Sequence, residues 1–162
     1  MTRRLILMRH AKSDWGTGDD DHDRPLNARG RGDAPRVGEA LRELGWVPDL
    51  VVLSDSARTT ETWDRMRGSF DHEPPARPNR SLYLAGLGAL QDVVAELDEG
   101  IHTVLALGHN PGWEMAATRL SGTPIRMTTA NAVLLELVWG PWAEAICSPA
   151  VRVHRVIRPK DL

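Results

Sequence analysis

Apolar positions along the chain fall into two interleaved patterns. Short apolar runs occupy Leu5–Met8, Leu50–Leu53, Thr103–Leu107 and Ala132–Val138. Runs of this length, bounded by polar or turn residues, predict buried strands. Val151–Ile157 reads as a fifth strand. Between them, apolar residues recur at helical spacing: Ala34, Val37, Leu41 and Leu44, then Trp63 and Met66, then Leu87, Leu90, Val94 and Leu97. These predict helices over 33–44, from a Ser54 or Ser56 cap to about 66, and from 87 to a stop at Gly100. Asn110-Pro111 predicts the opening of another short helix, because proline loses no hydrogen bond in a first turn. Residues 70–79, rich in proline and polar groups, predict a loop.

Strands alternating with helices predict an α/β fold, a three-layer sandwich around a mostly parallel sheet. The strands are apolar on both faces, as a sheet covered on both sides requires. At 162 residues the chain has the size of one domain, expected to span 1–162. In such sheets ligands bind beyond the carboxyl ends of the strands. The first strand ends in Arg9-His10. The second runs into Ser54-Asp55-Ser56-Ala57-Arg58, and the third into Gly108-His109-Asn110-Pro111-Gly112. Three strand ends thus send two histidines and two arginines towards one edge. No glycine-rich nucleotide-binding pattern accompanies them.

Composition narrows the function. Hydrophobic residues at 41% and charged residues at 26% exclude a disordered chain. Eighteen of the twenty basic residues are arginine, but the net charge is only −2, which argues against a nucleic-acid binder. For most of the eighteen a compositional bias is explanation enough. Cys147 is the single cysteine, so no disulfide framework or multi-cysteine metal site is expected. No signal-peptide pattern or apolar run of membrane-spanning length is present, and a cytoplasmic protein is the default expectation.

The strand-end set suits one chemistry. Two guanidiniums form a fork for phosphoryl oxygens. A neutral imidazole offers one bare nitrogen that can attack phosphorus. Arginines and a second, protonated histidine are then placed to stabilise the transition-state charge. No metal or other cofactor is required. A zinc site on His10 and His109 would lack ligands, and the arginines would repel the ion.

The segment Leu7-Met8-Arg9-His10-Ala11-Lys12-Ser13-Asp14-Trp15 resembles the "RHG" signature of the histidine phosphatase superfamily, with Ala11 where glycine is commoner. Arg24 to Gly30, Ser54 to Thr62 and Gly108 to Gly112 extend the likeness in order, over about residues 3–157. It is nearest to the short SixA-like phosphohistidine phosphatases. The resemblance implies a phosphoglycerate mutase-like fold. It implies His10 as the phosphorylated nucleophile, Arg9 and Arg58 as the phosphoryl grip, and His109 as the second active-site histidine. Arg24 is a weaker candidate for a third positive group.

One departure bears on substrate. Larger members carry an acid in an L-x-E context, where this chain has Leu82-Tyr83-Leu84. Without a proton donor an alkoxide leaves poorly, whereas a ring-protonated phosphohistidine releases a neutral imidazole. The expected substrate is therefore a phosphohistidine on a partner protein. A small-molecule phosphomonoesterase and a non-catalytic phosphate-binding module are the alternatives. Asp14 or the run Asp19–Asp23 is a possible replacement acid, although such a run is ordinarily a solvated loop. His22, His72, His102 and His154 receive no role. Trp63 is expected in the core, and Trp15 and Trp113 either wall the pocket or plug its base.

Overall fold

The computed structural model describes residues 1–162. Its strands are β1 (Thr2–Arg9), β2 (Leu50–Leu53), β3 (Ala76–Pro78), β4 (Thr103–Gly108), β5 (Ala132–Val138) and β6 (Arg152–Ile157). Its helices are α1 (Ala28–Glu43), α2 (Ala57–Met66), α3 (Leu87–Ala95), α4 (Gly112–Ser121) and α5 (Trp142–Ala145). All six strands form one sheet in the order β3-β2-β4-β1-β5-β6. The first four in sequence are mutually parallel, and β5 and β6 are added as antiparallel pairings.

Alternation along each strand builds the two covering layers. Ile6, Met8, Val51, Leu53, Leu105 and Leu107 point to one face, where they meet Ala34, Val37 and Leu41 of α1 and Trp63 and Met66 of α2. The intervening Leu5, Leu7, Val52, Val104 and Ala106 point to the other, against Leu90 and Val94 of α3, Trp113 and Leu120 of α4, and Trp142 of α5. Burial of apolar area on both faces is the main stabilising term. It also makes strand register strict, since a slip of one residue would exchange the faces. No helix is long and apolar enough to cross a membrane.

The elements differ from the sequence reading chiefly in four places, the first being α3, which ends at Ala95 and leaves Leu97 and the residues up to Gly100 outside it. Helix α1 begins at Ala28, five residues before the expected start, and runs through Pro35. Burial of Ala34, Val37 and Leu41 against the sheet offsets the missing proline N–H, and Asn27 caps the start by accepting a hydrogen bond from the Gly30 N–H at 2.9 Å. The expected loop over 70–79 contains the edge strand β3. Prolines 75 and 78 are tolerated there because only one side of β3 is paired, with Val51 N–H donating to the Pro75 carbonyl at 2.9 Å. The helix after Asn110 begins at Gly112, so Pro111 precedes its first turn.

The register aligns the ends that matter. Arg9 pairs with Gly108 across β1 and β4, and Leu53 with Leu107 across β2 and β4. The His10 N–H continues the ladder to the Gly108 carbonyl at 3.1 Å, and the Ser54 N–H to the Leu107 carbonyl at 3.2 Å.

Candidate active site

Where those ladders stop, the chains diverge and leave a pocket of about 220 Å³. Arg9, His10, Arg24, Arg58 and His109 all line it, so the five residues of the expected phosphoryl site arrive at one place. Two glycines permit the close packing around it. A Cβ on Gly30 would lie 2.2 Å from the Lys12 carbonyl oxygen, so only glycine lets α1 press against the segment after His10. A Cβ on Gly108 would lie 2.5 Å from the Trp113 ring, which fills the space beneath His109.

His10 is held in one tautomer. Its Nδ1 lies 2.7 Å from the Ala11 carbonyl oxygen, which only accepts, so Nδ1 carries the proton and Nε2 the lone pair. Arg58 Nε donates to that Nε2 at 3.3 Å. Burial, together with His109, Arg58 and Arg9, pushes the His10 pKa down to about 3 against the pull of the Ala11 carbonyl. The ring is therefore neutral at physiological pH.

His109 packs against His10 with ring centroids 5.3 Å apart. Its Nε2 lies 2.8 Å from Ser54 Oγ, which already accepts from the Ser56 N–H. Nε2 and Ser54 Oγ share one hydrogen, and where the serine supplies it the ring proton sits on Nδ1. That atom is buried and has no partner in the protein, and the same is true of Arg9 Nε. Burial and then the Arg58 guanidinium lower the His109 pKa to about 3. The protonated His109 expected from the sequence is thus replaced by a neutral ring that offers one N–H.

The arginines are tied in from the loop after β1. Arg58 is 2% exposed; its Nη1 donates to the Asp21 carbonyl at 2.7 Å and its Nη2 to Asp21 Oδ2 at 3.1 Å. Arg24 donates to Asp21 Oδ1 at 3.2 Å and to Ser13 Oγ at 2.6 Å, with its guanidinium 3.5 Å over the Trp15 ring. The Tyr83 hydroxyl donates to Asp21 Oδ2. That bond, with Arg58 and Arg24, holds the Asp21 pKa at about 2 against the opposing effect of burial. Arg9 reaches the Met127 carbonyl at 3.2 Å.

Several expectations change here. Asp21 is no free loop carboxylate, although it belongs to the acidic run. Asp14 does not line the pocket; its carboxylate accepts the Gly16 N–H. His22, given no role, meets Asp55 at 2.7 Å and stands edge-on to Tyr83 at 4.8 Å. The two tryptophans separate: Trp113 is buried, with Nε1 donating to the Ala106 carbonyl, while Trp15 is exposed and walls the pocket. Leu84, at the position where the resemblance led us to look for an acid, lines the pocket on a backbone with φ of 53°. Sequence reasoning missed Asp21, Ser54 and Tyr83 as site residues. Only the acidic run and the L-x-E position hinted at the first and last. No group of three or more His, Cys, Asp or Glu side chains converges as a metal site would need.

Known proteins of one family resemble this chain in sequence and in fold. The profile of the histidine phosphatase superfamily (branch 1) matches residues 5–99. A chloroplastic protein of Arabidopsis thaliana is 40% identical over 158 residues, covering 90% of this chain and 71% of its own. The structure bearing the name phosphohistidine phosphatase SixA from Nakamurella multipartitia superposes with a TM-score of 0.83 at 30% identity, covering 98% of this chain and 97% of the other. A protein histidine phosphatase SixA complexed with tungstate gives the same TM-score at 18% identity, with 98% of each chain covered, and so matches in fold. The chain belongs to branch 1 of the histidine phosphatase superfamily, enzymes of the phosphatase or mutase type.

Proposed function

We propose that the protein is a phosphohistidine phosphatase that acts on a partner protein through a covalent phospho-His10 intermediate. The observation that carries this reading is the Nδ1 hydrogen bond of His10 to the Ala11 carbonyl, which turns a bare Nε2 towards Arg58. The Nε2 lone pair attacks phosphorus as the bond to the substrate's imidazole nitrogen breaks. That imidazole, already protonated on its other nitrogen, departs neutral and needs no acid. Arg9, Arg58 and the His109 Nδ1–H donate to the equatorial oxygens, and Arg24 adds charge beside them. This donor set neutralises the phosphoryl group without a metal. Water then attacks phospho-His10. The N–P bond breaks, His10 recovers its original tautomer with Nδ1–H still on Ala11, and both hydrogens of the water leave on dihydrogen phosphate.

Leu84 in place of the acid supports phosphohistidine over alcohol phosphates. A general acid contributes roughly 10²–10⁴-fold to such reactions, and no carboxylic acid protonated near neutral pH lines the pocket. The test is a panel of a phosphohistidine protein, several sugar phosphates and an aryl phosphate, run with His10→Ala in parallel. The expected result is preferred hydrolysis of the phosphohistidine protein, abolished in His10→Ala, with tungstate binding retained. Preference for a sugar phosphate would select the small-molecule phosphomonoesterase. Normal turnover by His10→Ala would end the covalent mechanism, and tungstate binding with no turnover of any substrate would leave a binding module.

A further inference from the structure

A pocket built to hold a phosphoryl dianion also binds the product, inorganic phosphate. Arg9, Lys12, Arg24 and Arg58 line this one, so four positive charges surround a small space. Dense positive charge of this kind stabilises the transition state and slows product release. The loop after β1 sets one negative charge against it. Asp21 takes one oxygen to Arg58 Nη2 and the other to Arg24, and its backbone carbonyl takes Arg58 Nη1. The carboxylate thus spans two guanidiniums in the way a phosphoryl group would. Tyr83, reaching over from the chain between β3 and α3, supplies the hydroxyl that fixes it there.

We propose that Asp21 is a built-in counter-ion of the phosphoryl pocket, which competes with bound anions for Arg58 and Arg24 and so hastens the release of phosphate. This rests on the reading of the pocket as a phosphoryl site. It also excludes another role for the same residue. A general acid must carry a proton when the substrate arrives. Both Asp21 oxygens accept from N–H or O–H donors in the pocket, two of them cationic, and these contacts favour the charged carboxylate over the protonated form that a proton donor needs. Asp21 is therefore a positioning residue that acts through the arginines, with Tyr83 as its anchor. An anion enters by displacing the carboxylate from part of the arginine fork. The carboxylate returns when the phosphate leaves.

The experiment measures tungstate and inorganic phosphate binding by calorimetry, and the turnover of an aryl phosphate, for wild type, Asp21→Asn, Asp21→Glu and Tyr83→Phe. Loss of one charge at contact distance from two guanidiniums is worth at least about a tenfold change in affinity. Asp21→Asn is therefore expected to bind both anions about tenfold or more tightly. Its kcat and KM should fall together, because release becomes limiting. Asp21→Glu keeps the charge and should bind within about threefold of wild type. Tyr83→Phe frees the carboxylate without removing it, and should tighten binding by less than Asp21→Asn does. Weaker binding in Asp21→Asn would overturn the counter-ion role and show that the carboxylate only orients the arginines. Unchanged affinity with a large loss of kcat, greatest on alkyl phosphates, would overturn it in favour of an acid. Failure of wild-type protein to bind tungstate would instead refute the phosphoryl pocket itself. A thermal melt of each variant separates these outcomes from unfolding.

Discussion

Arg3 and Arg58 are equally buried, at 1% and 2% exposure, and lie at opposite ends of the same sheet. Arg3 begins β1. Its Nε donates to the Gly140 carbonyl at 2.8 Å, and its Nη1 to the Glu99 and Ile101 carbonyls at 2.7 and 2.9 Å. The Trp139 ring covers it at 3.9 Å. All of these acceptors are backbone, fixed by the fold. Arg58 stands beyond the carboxyl end of β2, and three of its donor bonds go to a histidine lone pair and to one aspartate in a loop. The adjoining Arg9 leaves a buried Nε without any partner. A buried cation satisfied by rigid carbonyls is part of the architecture. One satisfied by exchangeable partners is ready for a ligand.

Paired truncations test that distinction most severely. Arg58→Ala removes a donor that the proposed mechanism aims at the reacting phosphoryl group. Such losses cost about 10²–10³-fold in turnover, so kcat/KM is expected to drop by about 10³-fold, with the fold still intact by circular dichroism. Arg3→Met should do the reverse. Three carbonyls lose their donor, at about 1–3 kcal/mol for each that stays unsatisfied. Urea denaturation should show a loss of about 3 kcal/mol, with turnover per folded molecule unchanged. A large activity defect in Arg3→Met, or none in Arg58→Ala, would erase the contrast between the two ends.

The same contrast marks what was legible in the sequence. Arg9, His10 and His109 stand directly at the ends of apolar runs, so the strand pattern alone aimed them at one edge. Arg58 follows two residues after the expected Ser56 cap, and local spacing carried it too. Asp21 and Tyr83 were not legible as partners, because their contact spans 62 residues and depends on how two loops fold over the sheet. Arg3 was hidden for a different reason. It reads as one more arginine in an arginine-rich chain, and only the docking of residues 99–101 and 140 reveals its acceptors. Strand β3 escaped because its prolines suit a loop as well as an edge strand. The charge of His109 was misjudged because burial and the Arg58 field act through three dimensions, whereas composition suggested only that a cationic ring would help.

Protonation separates the two ends next. His10 and His109 are buried neutral, with pKa values near 3, against about 6.5 in the unfolded chain. Between those values the unfolded state holds more protons, so stability rises with pH and is lost as pH falls from about 6.5 towards 3. Each ring contributes a slope of up to about 1.4 kcal/mol per pH unit. Asp21, lowered from 3.8 to about 2, adds a smaller loss at the acid end of the range. Urea midpoints measured from pH 7 to pH 4 should show the slope in wild type and in Arg3→Met alike. His109→Gln should reduce it by about half. An unreduced slope in that variant would mean that the histidines at the pocket are not the groups resisting protonation.

The smallest effects concern the two tryptophans that cap arginines. Trp139 lies over Arg3, and Trp15 lies 3.5 Å over Arg24 beside the pocket. Both rings are exposed although the arginines beneath them are buried, and a cation–π contact at a solvent-exposed ring is worth about 0.5–1 kcal/mol, so neither substitution should unfold the protein. Their consequences should nevertheless differ in kind. Arg3 stays in place through its carbonyl partners when Trp139→Ala is made, so only stability should move, by less than about 1 kcal/mol, and tungstate affinity should not. Arg24 has Ser13 and the displaceable Asp21 as its other partners. When Trp15→Ala removes its cover, the guanidinium gains freedom that a bound anion must take back. Tungstate affinity should then weaken by about threefold, the equivalent of roughly 0.6 kcal/mol. Calorimetry resolves a change of that size. Equal affinities in the two variants would place Arg24 with Arg3, among the arginines that only hold the fold.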